Sequence, residues 1–347
     1  MSSNLSKIVS QALQNLDVKK REVIEGRYGL KDGAVYTLAE IGARYNVTRE
    51  RVRQIEEVAL GELESAMRKG DAKAFVEMVK LHLKNVGGLR REALLFEDLK
   101  KMIADANTPH LANKIRFVLS VYGEPRFFDE NEYFYDAWYV TEDDKKNAVT
   151  FTTNVIKQMA NKKDAVVTHR TIDKVFTAVV APHNLQDLIA LNYISASKQF
   201  HVNQYGDFGL SKWPEVNPKT VKDWIYIVLK KNQKPAHFND IAAFINKVRP
   251  QNKVAHPQTV HNELIKDERF ILVGRGMYGL REFGLMPGTA RQVMSRILKE
   301  HGPLSSQELL SLVLKERMFK KNTVLINLQN SKYFKRLDGG TYTAHSV

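Results

Sequence analysis

The sequence contains no cysteine. Disulfides, cysteine nucleophiles and thiolate metal sites are therefore excluded. It also lacks any apolar run approaching the ~18 residues that a membrane-spanning helix needs. The opening stretch "MSSNLSKIVSQALQNL" has no apolar core of the kind a signal peptide carries. The expectation is a soluble, cytoplasmic chain with no membrane partner, which the absence of thiols suits. Acidic side chains are scarce: 39 Asp and Glu stand against 53 Lys and Arg, a formal net charge of +14. That surplus favours a polyanionic partner, of which nucleic acid is the commonest. A basic protein with solvated lysines is the plainer alternative.

Catalytic signatures are missing as well. There is no P-loop, GxSxG, HExxH or paired-carboxylate motif. His256 and His261 are five apart, a poor spacing for sharing one helix face. "GGLRRE", Gly87 to Glu92, is too short and unframed for a phosphate loop. "DGG", Asp338 to Gly340, reads as a hairpin turn. No enzyme, metal or cofactor is expected. What remains is 347 residues, 43% of them apolar, a composition suited to several small globular domains.

The most informative stretch is "TLAEIGARYNVTRERVRQIEEVAL", Thr37 to Leu60. Thr37 and Glu40 have the spacing of a capping box. Leu38, Ile41 and the stem of Arg44 follow on related faces of a short helix. Asn46 suits a turn. Thr48 is a second N-cap candidate, and Val52, Ile55 and Ala59 then recur at helical spacing. Arg49, Glu50, Arg53 and Gln54 are left pointing away from that stripe. Two helices joined by such a turn make a helix-turn-helix, whose second helix enters the major groove. Arg suits guanine, Glu suits the cytosine amino group and Gln suits adenine. The alternative is a surface helix whose charges only keep it soluble.

"LDVKKREVIEGRYGL" followed by "YTLAEIGARYNVTRERVRQIEEVAL" resembles region 4 of bacterial sigma-70 family factors, from Leu16 to Leu63. The resemblance implies a domain that reads the promoter −35 element in double-stranded DNA and docks on the flap of bacterial RNA polymerase. Arg49, Glu50 and Gln54 match the family's base-reading positions. Arg53 matches a further DNA- and activator-facing one. Arg44 and Thr48 lie where phosphate contacts are expected. Two departures stand out. "GELESAMRK" replaces the usual basic continuation, which implies weaker phosphate affinity. Nothing resembles region 2, which opens the −10 element, so a complete sigma factor is not expected.

The remainder repeats itself. "EPRFFDENEYFYDAWYV", "SKQFHVNQYGDFGLSKW", "DERFILVGRGMYGLREF" and "SKYFKRLDGGTYTAHSV" each read as a β-hairpin preceded by helical pattern. Three helices and a hairpin make a winged helix. In the third copy, "PKTVKDWIYIVLKKN" places Val221, Trp224, Ile225 and Leu229 on one face, and Pro257 opens a later helix. Lys234 to Gly284 resembles the HARE-HTH family, which implies a DNA- or polymerase-associated module and no catalyst. Candidate contacts are His256, Gln258, His261 and Arg275 there, and Lys320, Lys321, Asn322 and Lys335 in the fourth copy. A solvated face explains each of these equally well. Tyr278, with Phe208 and Tyr342 in the matching hairpins, reads as core.

The expected fold is mainly α: a helix-turn-helix at 1–71, then winged-helix modules at 72–141, 142–214, 215–284 and 285–347. The favoured function is a sequence-specific DNA-binding transcription regulator associated with bacterial RNA polymerase. The runner-up is a polymerase-binding accessory subunit that uses the apolar surface around Leu30 and Val35. A reader of modified or foreign DNA is a third reading. No heptad marks a dimer helix, and the oligomeric state stays open.

Overall fold

The computed structural model describes residues 4–68, 71–163, 166, 172–183, 185–249, 253–316 and 319–345. The chain is mainly helical with small sheets. It divides into two units, one of Met1–His201 with Phe208–Ser211, the other of Val202–Asp207 with Lys212–Val347.

The chain opens with α1 (Leu5–Gln14), α2 (Val18–Tyr28), α3 (Leu38–Tyr45), α4 (Arg49–Met67) and α5 (Asp71–Asn85). Next come β1 (Leu89–Arg91), α6 (Glu92–Lys100), α7 (Leu111–Tyr122), β2 (Arg126–Phe128) and β3 (Ala137–Tyr139). Helices α8 (Glu142–Ala160), α9 (Ile172–Val180) and α10 (Asp187–Ser195) follow, with the strand pair β4 (Phe200–Val202) and β5 (Phe208–Leu210). Then come α11 (Val221–Asn232), β6 (Ala236–His237), α12 (Phe238–Val248), α13 (Pro257–Lys266), β7 (Phe270–Gly274) and β8 (Met277–Leu280). The chain closes with α14 (Ala290–His301), β9 (Leu304–Ser305), α15 (Ser306–Glu316), α16 (Lys321–Leu328), β10 (Phe334–Arg336) and β11 (Thr341–Ala344).

Three segments share one order: helix, short strand, two helices, two strands. In each, the last strand lies in the middle of a three-stranded antiparallel sheet, β1-β3-β2, β6-β8-β7 and β9-β11-β10. The hairpins were expected from sequence, but the first strand of each sheet was not. At two or three residues, β1, β6 and β9 are too short for side-chain alternation to register. Threonine capping boxes open α3, α8, α11 and α14, pairing Thr37 with Glu40, Thr141 with Asp144, Thr220 with Asp223 and Thr289 with Gln292.

In the second unit, each repeat has its own apolar cluster. One runs from Trp224 to Leu280 and the other from Val293 to Phe334. The first unit is organised differently. A single cluster takes in α1, the second half of α4, α5, α6, α7 and Trp138. The segments before and after residue 72 therefore share a core. Helix α7 lies at its centre. Phe117, Val118 and Leu119 are all fully buried, and successive helical residues are ~100° apart, so α7 is covered over most of its circumference, with Ala112, Arg116 and Ser120 left as an exposed stripe. Glu92 is buried beside it and accepts hydrogen bonds from Trp138 Nε1, at 3.0 Å, and from Arg116. Among the described residues, no helix is long and apolar enough to cross a membrane.

The shared core generates a first expectation. Phe117→Ala should lower the unfolding free energy by about 3–5 kcal/mol. Amide exchange should show α2 and α5 losing protection together. Loss confined to one of them would mean the two segments fold separately.

Candidate nucleic-acid interface

The helix-turn-helix is built by short-range chemistry. Thr37 Oγ1 accepts from the Glu40 backbone N–H at 3.2 Å, and the Glu40 carboxylate accepts from the Thr37 N–H at 2.7 Å. Asn46 ends α3 in the left-handed region, φ 53°. The turn is tight at Gly42, where an added Cβ would lie 2.7 Å from the Val47 carbonyl oxygen. That contact leaves no room for a side chain. Thr48 Oγ1 then accepts from the Arg51 N–H at 3.2 Å and caps α4. Val23, Ile41, Val52 and Ile55 form the small core that fixes the angle between α3 and α4.

With Val52 and Ile55 inward, Arg49, Glu50, Arg53 and Gln54 are all exposed, as are Arg44 and Thr48. All six residues singled out from sequence are thus exposed, and Arg49, Glu50, Arg53 and Gln54 fall on one face of α4. Their side chains are not independent. Arg53 donates through Nε and Nη2 to the Glu50 carboxylate, the shortest contact 2.8 Å, and through Nη1 to Glu57 at 3.2 Å. Arg51 Nη1 donates to Gln54 Oε1 at 3.1 Å. The Arg44 guanidinium stacks 3.6 Å above the Tyr36 ring. Arg49 has neither hydrogen bond nor ion pair among the described residues, and it adds a second positive charge near Glu50. The Arg53 hydrogen bonds, ahead of the Arg53 and Arg49 charges, hold the Glu50 carboxyl below its ordinary value. On the inner side, Arg27 donates to Glu56 at 2.9 Å and to the Tyr36 carbonyl at 2.8 Å, tying α4 to α2 and to the approach loop. No motif in the sequence marked that clamp; its partners lie on three separate elements.

In the third repeat, His256, Gln258 and Arg275 are exposed. His261 differs. It is half-buried, stacked on Phe238 with centroids 4.6 Å apart and edge-on to Tyr278 at 5.8 Å. Tyr278 is buried in the core, while Phe208 and Tyr342 are only partly covered. In the last repeat, Lys320, Lys321, Asn322 and Lys335 are exposed. Among the described residues, no three His, Asp or Glu side chains come together as a metal centre would require.

Two helices joined by this turn define a helix-turn-helix domain. Residues 12–64 match the family described as Sigma-70, region 4, and form such a domain. Similar sequences include RNA polymerase sigma factor SigA of Nostoc sp., 44% identical over 68 residues, which are 20% of this chain and 17% of that protein. RNA polymerase sigma factor SigA1 of Synechococcus elongatus is 47% identical over 64 residues, 18% of this chain and 16% of that one. The RNA polymerase sigma-C factor of Nostoc sp. is 40% identical over 77 residues, 22% of this chain and 18% of that one. The chain thus spans less than a fifth of the length of each of these relatives.

The Glu50–Arg53 pair has a titration signature. A depressed carboxyl stays ionised and paired at neutral pH, and the pairing is lost as the pH falls through that lowered value. Arg53→Ala should move the Glu50 carboxyl back up towards the ordinary glutamate range in an NMR titration. An unchanged titration would mean that Arg53 does not hold Glu50.

Proposed function

We propose that this chain is a sequence-specific DNA-binding transcription regulator that reads a promoter −35-like element through α4 and associates with bacterial RNA polymerase. The observation that carries the reading is the outward Arg49, Glu50 and Gln54 on a capped helix within the region 4 match. Arg49, unencumbered, is the guanine reader. Glu50 accepts from cytosine, and Arg53 serves both as its strut and as a cation towards the adjacent phosphate. Gln54 reads adenine through the amide that Arg51 orients. Arg44 and the Thr48 hydroxyl hold phosphates. The relatives' names, all RNA polymerase sigma factors, support the polymerase association.

The segments 72–141, 142–214, 215–284 and 285–347 are read as winged helices, and Lys234 to Gly284 as a HARE-HTH module. The helix α13 surface at His256 and Gln258 and the β7–β8 turn at Arg275 are its proposed contacts, with His261 kept for packing. Lys320, Lys321, Asn322 and Lys335 supply further phosphate contacts. The chain acts by binding in the cytoplasm, without catalysis or cofactor.

Titrating the protein with −35-like duplexes tests this. Arg49→Ala should cost about 1–3 kcal/mol on the preferred duplex and relax discrimination at one base pair. Arg44→Ala should weaken all duplexes alike and lower the salt slope by about 1. Equal losses on every sequence for Arg49→Ala would overturn the groove-reading role.

A further inference from the structure

A helix-turn-helix has two sides. One carries the recognition helix, and the other is the apolar back that a partner's helix can use as a groove. Here the back is formed by α1, α2 and the second half of α4, and α7 packs against all three. Its Phe117 ring meets Tyr28 edge-on, centroids 5.1 Å apart. Leu30, at the end of α2, is in the same cluster at 9% exposure, whereas Val35 is 61% exposed.

The seating is specified by polar contacts around the start of α7. Before α7, the Asp105 carboxylate accepts from the first backbone N–H groups of α1, Leu5 at 2.9 Å and Ser6 at 2.8 Å. Those donors have no partner within α1 itself. Ser6 Oγ and Thr108 Oγ1 are 2.8 Å apart, and Lys114 Nζ donates to both. From the first turn of α7, Asn113 Nδ2 donates to the carbonyls of Gly29, at 3.0 Å, and Gly33, at 3.2 Å. The His110 ring lies so close to Gly33 that an added Cβ there would meet Nδ1 at 2.6 Å. The loop leading into the helix-turn-helix is thus shaped to this one helix.

We propose that α7 is the permanent occupant of the back of the region 4 domain, so that this face is closed to any helix from outside the chain. The inference rests on the region 4 reading above. It deepens that reading: polymerase must be met through surfaces other than this one. Two features argue for permanence over a removable plug. Helix α7 is buried on both its sides, by the helix-turn-helix and by α5 with Trp138, so its departure would open the whole cluster. Its Asn113 satisfies the Gly29 and Gly33 carbonyls, and Asp105, in the segment that leads into α7, satisfies backbone groups of α1; these groups would otherwise lose their partners.

The test is native-state hydrogen exchange on the full chain, alone and with core RNA polymerase lacking sigma. It is run on wild type and on a Ser6→Cys, Thr108→Cys form, reduced and oxidised. The chain has no other cysteine, so that disulfide would be unique. The expected result is α7 exchanging as slowly as α2 and the second half of α4, unchanged by polymerase. The oxidised and reduced forms should behave alike towards polymerase and towards a −35-like duplex. Exchange of α7 about tenfold faster than α2 would reveal local opening and overturn the proposal. So would polymerase-induced loss of α7 protection, or polymerase binding that the disulfide abolishes. Failure of DNA reading would instead appear in the duplex titration of Arg49→Ala, with α7 exchange unaffected.

Discussion

A single helix belongs to two cores. Through Val52 and Ile55, the first half of α4 packs into the small cluster with Val23 and Ile41. Through Ala59, Leu63 and Met67, its second half enters the large cluster with α1, α5 and α7. A 19-residue helix is stiff over that length. The direction in which Arg49, Glu50 and Gln54 point is therefore set at the far end of the rod as well as beside them. The Arg27 contacts with Glu56 and the Tyr36 carbonyl brace the middle.

The electrostatics of the outer surface follow from helical spacing. Glu50, Arg53 and Glu57 lie three and four residues apart, so one guanidinium bridges two carboxylates. All three are exposed, and pairs of this kind add little to stability. In the proposed groove-reading role their value lies in orientation, because a carboxylate held by its neighbour arrives at a base edge already positioned. The same spacing leaves the Arg49 side chain without a hydrogen-bonding partner among the described residues. A surface whose charges are mostly matched internally suits discrimination better than indiscriminate attraction.

Much of the helix-turn-helix was legible in the sequence because its determinants are local. The Thr37–Glu40 box, the Asn46 turn, the Thr48 cap and the Val52–Ile55–Ala59 stripe each span a few residues, and the structure contains all of them. Tyr278 was read as core for the same kind of reason, its place in a hairpin. What escaped notice depends on distance. Asp105 meets the start of α1 and Asn113 meets Gly29 across long stretches of chain, and no periodicity encodes such pairs. His261 looked like a free polar residue on a contact helix until Phe238 and Tyr278 enclosed it. The strands β1, β6 and β9 were too short to leave a pattern. The joining of residues 5–138 into one cluster was hidden by a composition that reads equally well as two small domains.

The position of α7 also has a temporal meaning. During synthesis the N-terminal segments emerge first, and domains generally fold as units as they appear. The repeats of the second unit carry their own clusters and can each close once their last strand has emerged. The helix-turn-helix cannot. Its large core lacks a central helix until residues 111–122 have left the ribosome. The far end of α4 is therefore anchored only after the following segment has been made, and a nascent chain halted before α7 would present an open apolar face where the finished protein has none.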